Sequence, residues 1–337
     1  MNSMQRVLAT VAGQAVDRPP FTAVLSLYGF RFAGGSMSDY YSDPLLYAKG
    51  QSAVSETFSP DILFSPFAFA SVAEAFGSEV RFFEDHPPIL KRPALASIQE
   101  LEKLVLPDPD RHPRLAFLRE SVRQMKADHG DSVAIAGVLM SPADLPAMIL
   151  GMESWLETVL FDPAGAERML SYVEPFFVRM ANCLLAAGAT FIAIPSVFLS
   201  PAMLPRQIVI AQTLPTTRRA LASVNGPVVM HHAGGRFLSH SDLVADLPHV
   251  VGLVLDHEDN LGQGRSLVGA QLTLLGGISG PDLGASSASA VAAQARAVLE
   301  DRRNDPHFIL STTGPDVALE TPPENIQALR QAVCDFA

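Results

Sequence analysis

The 337-residue chain is poor in cysteine: it has two, Cys183 and Cys334. One pair in so long a chain is no disulfide framework, and neither residue sits in a metal or redox motif. A reducing, cytoplasmic setting is therefore expected. Long apolar runs are also missing. None reaches the roughly 18 residues of a transmembrane helix, so no membrane span is expected. The N-terminal stretch Met1 to Arg18 has no apolar core segment and does not read as a signal peptide. Basic charge is in short supply, with 24 Lys and Arg against 35 Asp and Glu, a net charge of -11. That balance speaks against a nucleic-acid surface and against docking on anionic lipid. No Gly-x-Gly-x-x-Gly follows an apolar run, which removes the usual nucleotide signature of an open doubly wound sheet.

What is present is core. Apolar residues make up 48% and charged residues 18%, an enzyme-like composition. Eight short apolar runs recur along the chain: 21–26, 61–65, 133–138, 190–194, 228–230, 250–255, 272–275 and 308–310. Runs of this kind suit parallel strands buried on both faces. Helical patterns fill most gaps. They span 44–57, 97–104 (with Ser97 and Glu100 as a capping pair), 113–129, 163–187 (with Pro175 inside), 204–223, 287–301 and 322–336. Eight strands alternating with helices predict an α/β fold, a (β/α)8 TIM barrel, as a single domain over residues 1–337. The alternation Val80-Arg81-Phe82 predicts a small hairpin inserted after strand 2.

Barrel chemistry collects where strands end. The densest end is Val228-Val229-Met230-His231-His232-Ala233-Gly234-Gly235, a buried strand running into two histidines and a glycine turn. The next end carries Asp256-His257-Glu258-Asp259. Neighbouring strands would bring these groups together, and imidazole with carboxylate makes an acid/base pair or the start of a metal site. The candidate catalytic residues are thus His231, His232, Asp256, His257 and Glu258. Ser65, Met140, Ser196, Thr312 and Thr313, at other strand ends, are candidate substrate contacts. The plainer reading keeps one histidine packed and the acidic tetrad solvated.

The whole chain also resembles the uroporphyrinogen decarboxylase superfamily, above all its corrinoid-dependent (methylcobamide) methyltransferase branch. The resemblance is carried by Asp17-Arg18-Pro19-Pro20, Glu74-Ala75-Phe76-Gly77-Ser78-Glu79-Val80, Glu84-Asp85-His86-Pro87-Pro88, Leu106-Pro107-Asp108-Pro109, Ala186-Ala187-Gly188-Ala189, Gly276-Gly277-Ile278 and the segment from Glu320 to Ile326. It implies a (β/α)8 barrel. The decarboxylase arginine cluster is reduced to Arg31 within Leu27 to Phe32. The decarboxylase aspartate falls on Pro66, and its late glycine-histidine on Gly314-Pro315. A porphyrinogen with many carboxylates would have little to hold it.

In the methyltransferase branch a His-x-Cys-Gly motif and a later cysteine hold zinc for a thiol acceptor such as coenzyme M. Here the motif reads His231-His232-Ala233-Gly234, and the later cysteine falls within Thr313-Gly314-Pro315-Asp316. Both thiolates are gone, so the standard zinc centre is expected to be lost. Two alternatives stay open: a divalent metal on His231, His257 and a carboxylate, or a metal-free pocket with His231 or His232 as acid/base. No Asp-x-His-x-x-Gly carrier motif is present. The resemblance therefore implies a corrinoid protein as partner, with a small-molecule methyl donor or acceptor; a homodimer is compatible with it. The rival functions are a divergent decarboxylase or lyase on a small acid, and a catalytically silent paralogue that binds a ligand.

Overall fold

The computed structural model describes residues 1–336. Eight strands form one parallel sheet: β1 (Phe21–Thr22), β2 (Ile62–Phe64), β3 (Ala134–Val138), β4 (Phe191–Pro195), β5 (Val228–His231), β6 (Val250–Val254), β7 (Thr273–Ser279) and β8 (Phe308–Thr313). Each pairs with its sequence neighbour from β2 through to β8, and β8 pairs with β1. The seam between β1 and β2 is closed by three hydrogen bonds. Asp61 N–H donates to the Phe21 carbonyl (2.8 Å), Phe21 N–H to Asp61 Oδ2 (2.8 Å) and the Thr22 hydroxyl to the Ile62 carbonyl (3.0 Å). The expected (β/α)8 barrel is thus present, and residues 79–81 and 89–92 form the expected antiparallel hairpin after β2.

The helices begin and end for local reasons. Pro113–His129 starts on a proline, whose missing N–H costs nothing in the first turn, and stops at Gly130, φ 57°. Pro163–Ala187 is capped by Asp162, which accepts from Gly165 N–H (2.9 Å), and ends at left-handed Gly188. Pro175 sits within it.

Several boundaries differ from expectation. β1 stops at Thr22 rather than Ser26, because Val24 N–H turns to the Thr312 hydroxyl (2.9 Å) instead of a strand carbonyl. Gly276 and Gly277 lie inside β7, not beyond it, at φ 147° and 98°; a Cβ on Gly276 would sit 2.7 Å from the Leu255 carbonyl oxygen. The span 97–104 is a 3-10 helix over Ile98–Lys103, and Ser97 makes no side-chain cap. The span 204–223 is divided: Arg206–Ile208, a π-helical turn at Val209–Thr213, then Leu214–Ala222 with proline in its first turn.

Several helices were not foreseen, among them Phe69–Ala75, Met152–Phe161, Leu261–Val268 and, at the start of the chain, Ser3–Val11. The last of these lies across the N-terminal end of the barrel, where Val7 joins a second core with Ile62, Ala134, Phe191, Val229 and Ile309. Arg6 anchors it, reaching the fully buried Asp61 at 2.6 Å; Arg18 reaches the other oxygen of Asp61 at 2.8 Å. No helix among the described residues is long and apolar enough to cross a membrane.

Candidate active site

Strand register sets Pro195, His231 and Val254 side by side at the C-terminal ends of β4, β5 and β6. The chain then turns through Ala233, Gly234 and Gly235, all at positive φ (57°, 111°, 76°). This turn ends the strand at His231, so the side-chain alternation of a strand no longer applies. The two imidazoles lie stacked, with centroids 4.5 Å apart and planes at 17°. It also folds two backbone N–H groups back onto the rings: Ala233 N–H donates to His231 Nδ1 (2.9 Å) and Gly234 N–H to His232 Nδ1 (3.0 Å).

The two histidines face different surroundings. His231 lines a cavity of about 430 Å³ at the barrel mouth. Burial, then the neighbouring His232, push its pKa well below the usual histidine value, so the ring is neutral. With Nδ1 accepting, the proton of that neutral ring belongs on Nε2, making His231 a hydrogen-bond donor in this tautomer. His232 is fully buried, and its Nε2 meets Gly314 N–H at 3.2 Å. It therefore ties the β5 turn to the β8 turn. Burial lowers its pKa as well, with Asp256 and Asp259 pulling the other way.

Asp256 sits behind this pair. Its carboxylate is 3.7 Å from His232 Nδ1 and 3.3 Å from His257 Nδ1, and it accepts from Glu258 N–H (3.0 Å). His257 N–H donates to the Thr313 hydroxyl (3.2 Å). The structure thus brings His231, His232, Asp256, His257 and Thr313 into one cluster, but of these only His231 lines the cavity. The Glu258 side chain turns outward to Arg236 (3.0 Å). Asp259 is spent on the backbone, accepting from Phe237 (2.8 Å) and Leu238 (3.3 Å).

Among the expected substrate contacts, Met140 lines the cavity. Ser65 accepts from Val138 N–H (2.8 Å) and Thr312 from Val24 N–H, so both hold backbone at strand ends. Ser196 is one step removed: with Ser141 it donates to Asp144 Oδ2, at 2.7 Å from Ser196. Arg31 is committed to the carbonyls of Leu319 (2.8 Å) and Thr321 (3.0 Å) and does not line the cavity.

Sequence reasoning missed the two carboxylates that do line the cavity, Asp144 and Asp316. Asp144 is buried. Its other oxygen accepts from Val197 N–H (2.8 Å) and Phe198 N–H (3.2 Å), and burial pushes its pKa up against these donors. Asp316 accepts from Leu27 N–H (2.9 Å); burial lifts its carboxyl to about 7. A signal for Asp144 was present, since it is the lone charge between Val133 and Met152. The remaining wall is largely apolar, with Phe67, Phe69, Met148 and Met152.

This donor set does not fit the zinc centre that the resemblance implies. Ala233 offers no ligand atom, and among the described residues no three His, Cys, Asp or Glu side chains converge as a metal set. A divalent-metal site on His231 and His257 is not assembled either, because His257 turns to Asp256 and lies outside the cavity.

A parallel eight-stranded barrel with its cavity at the C-terminal mouth defines a TIM-barrel protein of the enzyme-like kind. Comparison with known proteins narrows this. The family model for uroporphyrinogen decarboxylase (URO-D) matches residues 2–336, and the chain belongs to that family. It is 23% identical over 335 residues to the methylcobamide:CoM methyltransferase MtaA of Methanosarcina barkeri, covering 96% of this chain and 95% of that one. It is 26% identical over 350 residues to the uroporphyrinogen decarboxylase of Alkalilimnicola ehrlichii, covering 97% and 93%. A solved methyltransferase from Methanosarcina mazei has the same fold, with a TM-score of 0.89, 22% identity and coverage of 100% and 99%.

Proposed function

We propose that this barrel is a methyltransferase that moves a methyl group between a small molecule and a corrinoid carried on a partner protein. One observation carries the reading. Along a chain similar end to end to a methylcobamide:CoM methyltransferase, a cavity opens at the barrel mouth beside His231, where the motif cysteine is replaced by Ala233. The cavity keeps a neutral imidazole and an apolar, methionine-rich wall suited to a methylated ligand, without thiolates to bind a thiol acceptor. His231 would orient the ligand through Nε2–H, and the packed wall would exclude water.

A decarboxylase or lyase acting on a small acid is less well supported. Its substrate carboxylate needs a cationic anchor, and among the described residues no Lys or Arg lines the cavity. The test is transfer from a methylated corrinoid protein, followed by the cobalt spectrum, with and without this chain. Turnover is expected only when chain and carrier protein are both present. Tight binding of free cobalamin by the isolated chain, or no effect of the chain on the carrier's methylation, would sink the reading.

A further inference from the structure

The cavity at the barrel mouth has an unusual charge balance. Two carboxyl groups line it, Asp144 and Asp316, and neither has a salt-bridge partner among the described residues, while no lysine or arginine lines the wall. Asp144 is buried and Asp316 partly so, and charges withdrawn from water are ordinarily paired. At the opposite end of this same barrel that rule is kept, with Asp61 held between two arginines. Around Asp316 the contributions opposing burial are backbone N–H groups of Leu27 and Ser26, not a cation. Around Asp144 they are two serine hydroxyls and two backbone N–H groups. The rest of the wall is aromatic and thioether: Phe67 and Phe69, whose rings meet edge to face at 5.9 Å, with Met140 and Met148. Aromatic faces attract cations whose charge is spread over methyl groups, and thioethers pack against such groups without competing for hydrogen bonds.

The geometry points to a methylated ammonium cation as the class of ligand this cavity takes. Both missing elements are supplied by one molecule: a positive charge for the unpaired carboxylates, and a compact apolar shell for the phenylalanine and methionine wall. The same balance disfavours an anionic ligand, because a carboxylate or sulfonate would enter beside two acidic groups with no counter-charge. The inference rests on the mouth cavity being the substrate site of the methyl-transfer reading, and it names the substrate side of that reaction.

The test is calorimetric titration of the full chain with three probes of similar size. They are choline, its neutral carbon isostere 3,3-dimethylbutan-1-ol, and coenzyme M as an anionic thiol. Choline is expected to bind at least about tenfold tighter than the isostere, a difference set by charge alone, and coenzyme M to bind more weakly than either. Asp316→Asn should remove most of the choline preference. Met152→Lys, at the exposed rim, should do the same by tethering a cation at the cavity; thermal melts confirm that both variants are folded. Equal binding of choline and the isostere, preference for coenzyme M, or an unchanged preference in both variants would overturn the proposal. Choline binding with no transfer from any methylated ammonium compound to a carrier protein would uphold the cavity's ligand class and overturn the methyl-transfer reading. Transfer from a neutral methyl ether without cation preference would do the reverse.

Discussion

At the N-terminal end of the barrel, Asp61 is fully buried and every one of its contacts is a donor that fixes it: Arg6, Arg18 and the Phe21 N–H. At the C-terminal end, Asp144 and Asp316 line a cavity with no lysine or arginine among the described residues in its wall. The first arrangement joins the terminal helix, the β1 lead-in and β2 at the closing seam, and its product is stability. The second leaves two carboxyl groups held by hydroxyl and backbone donors alone, with no ion pair to neutralise them. In one barrel the same residue type serves opposite ends because the neighbours differ, as expected of a fold that separates its stability face from its reactive face.

The contrast is broken most severely at Asp61. Asp61→Asn leaves Arg18 without a carboxylate partner and Arg6 with Asp17 alone, and a loss of about 3–5 kcal/mol is expected in urea unfolding, the range for breaking a buried pair. A loss below about 1 kcal/mol would mean that the seam does not depend on this carboxylate. Next comes His231→Ala. Transfer activity should fall by about 10²-fold or more, the scale for a positioned acid/base or donor group, while unfolding free energy moves little. Full turnover with a large stability loss would make the histidine structural.

The third prediction concerns pH. The Asp316 carboxyl is raised from 3.8 to about 7 by folding. Its favourable contribution is therefore complete below about pH 4 and lost as pH rises through 7. Asp316→Asn, which stays neutral, should melt a few degrees above the parent at pH 8, and the gap should close on acidification. A gap that widens toward pH 4 would have the wrong sign. The smallest effect is expected at Glu258, exposed and paired with Arg236. Glu258→Gln should change stability by no more than about 0.5 kcal/mol and leave transfer rates alone; a large loss of rate would place the acidic loop back in the site.

Strand apolarity and spacing made the barrel legible, since buried parallel strands leave short uninterrupted runs such as Ala134–Val138. The hairpin was legible from its alternation. The strand-five histidines were legible as a candidate site because two ionisable groups and a glycine turn end an apolar run there. What stayed hidden depends on contacts that sequence spacing does not encode. Glu258 and Asp256 are two residues apart, yet one faces solvent and the other a histidine pair, because Asp259 pins the loop to Phe237 and Leu238. Asp144 lies past the strand on a turn, and only folding brings it to the same cavity as Asp316. The terminal helix was hidden because its buried face includes a charge, Arg6, whose partner Asp61 is 55 residues away.

Closure between β1 and β8 has a consequence for how the chain is made. Phe21 pairs with Leu310, and Val24 hydrogen-bonds Thr312 across 288 positions of sequence. At 5–20 residues per second, a ribosome needs about 15–60 s between making the two partners. Through that interval β1 can be held only on its β2 side, by Asp61, while its other edge waits for the last strand to emerge.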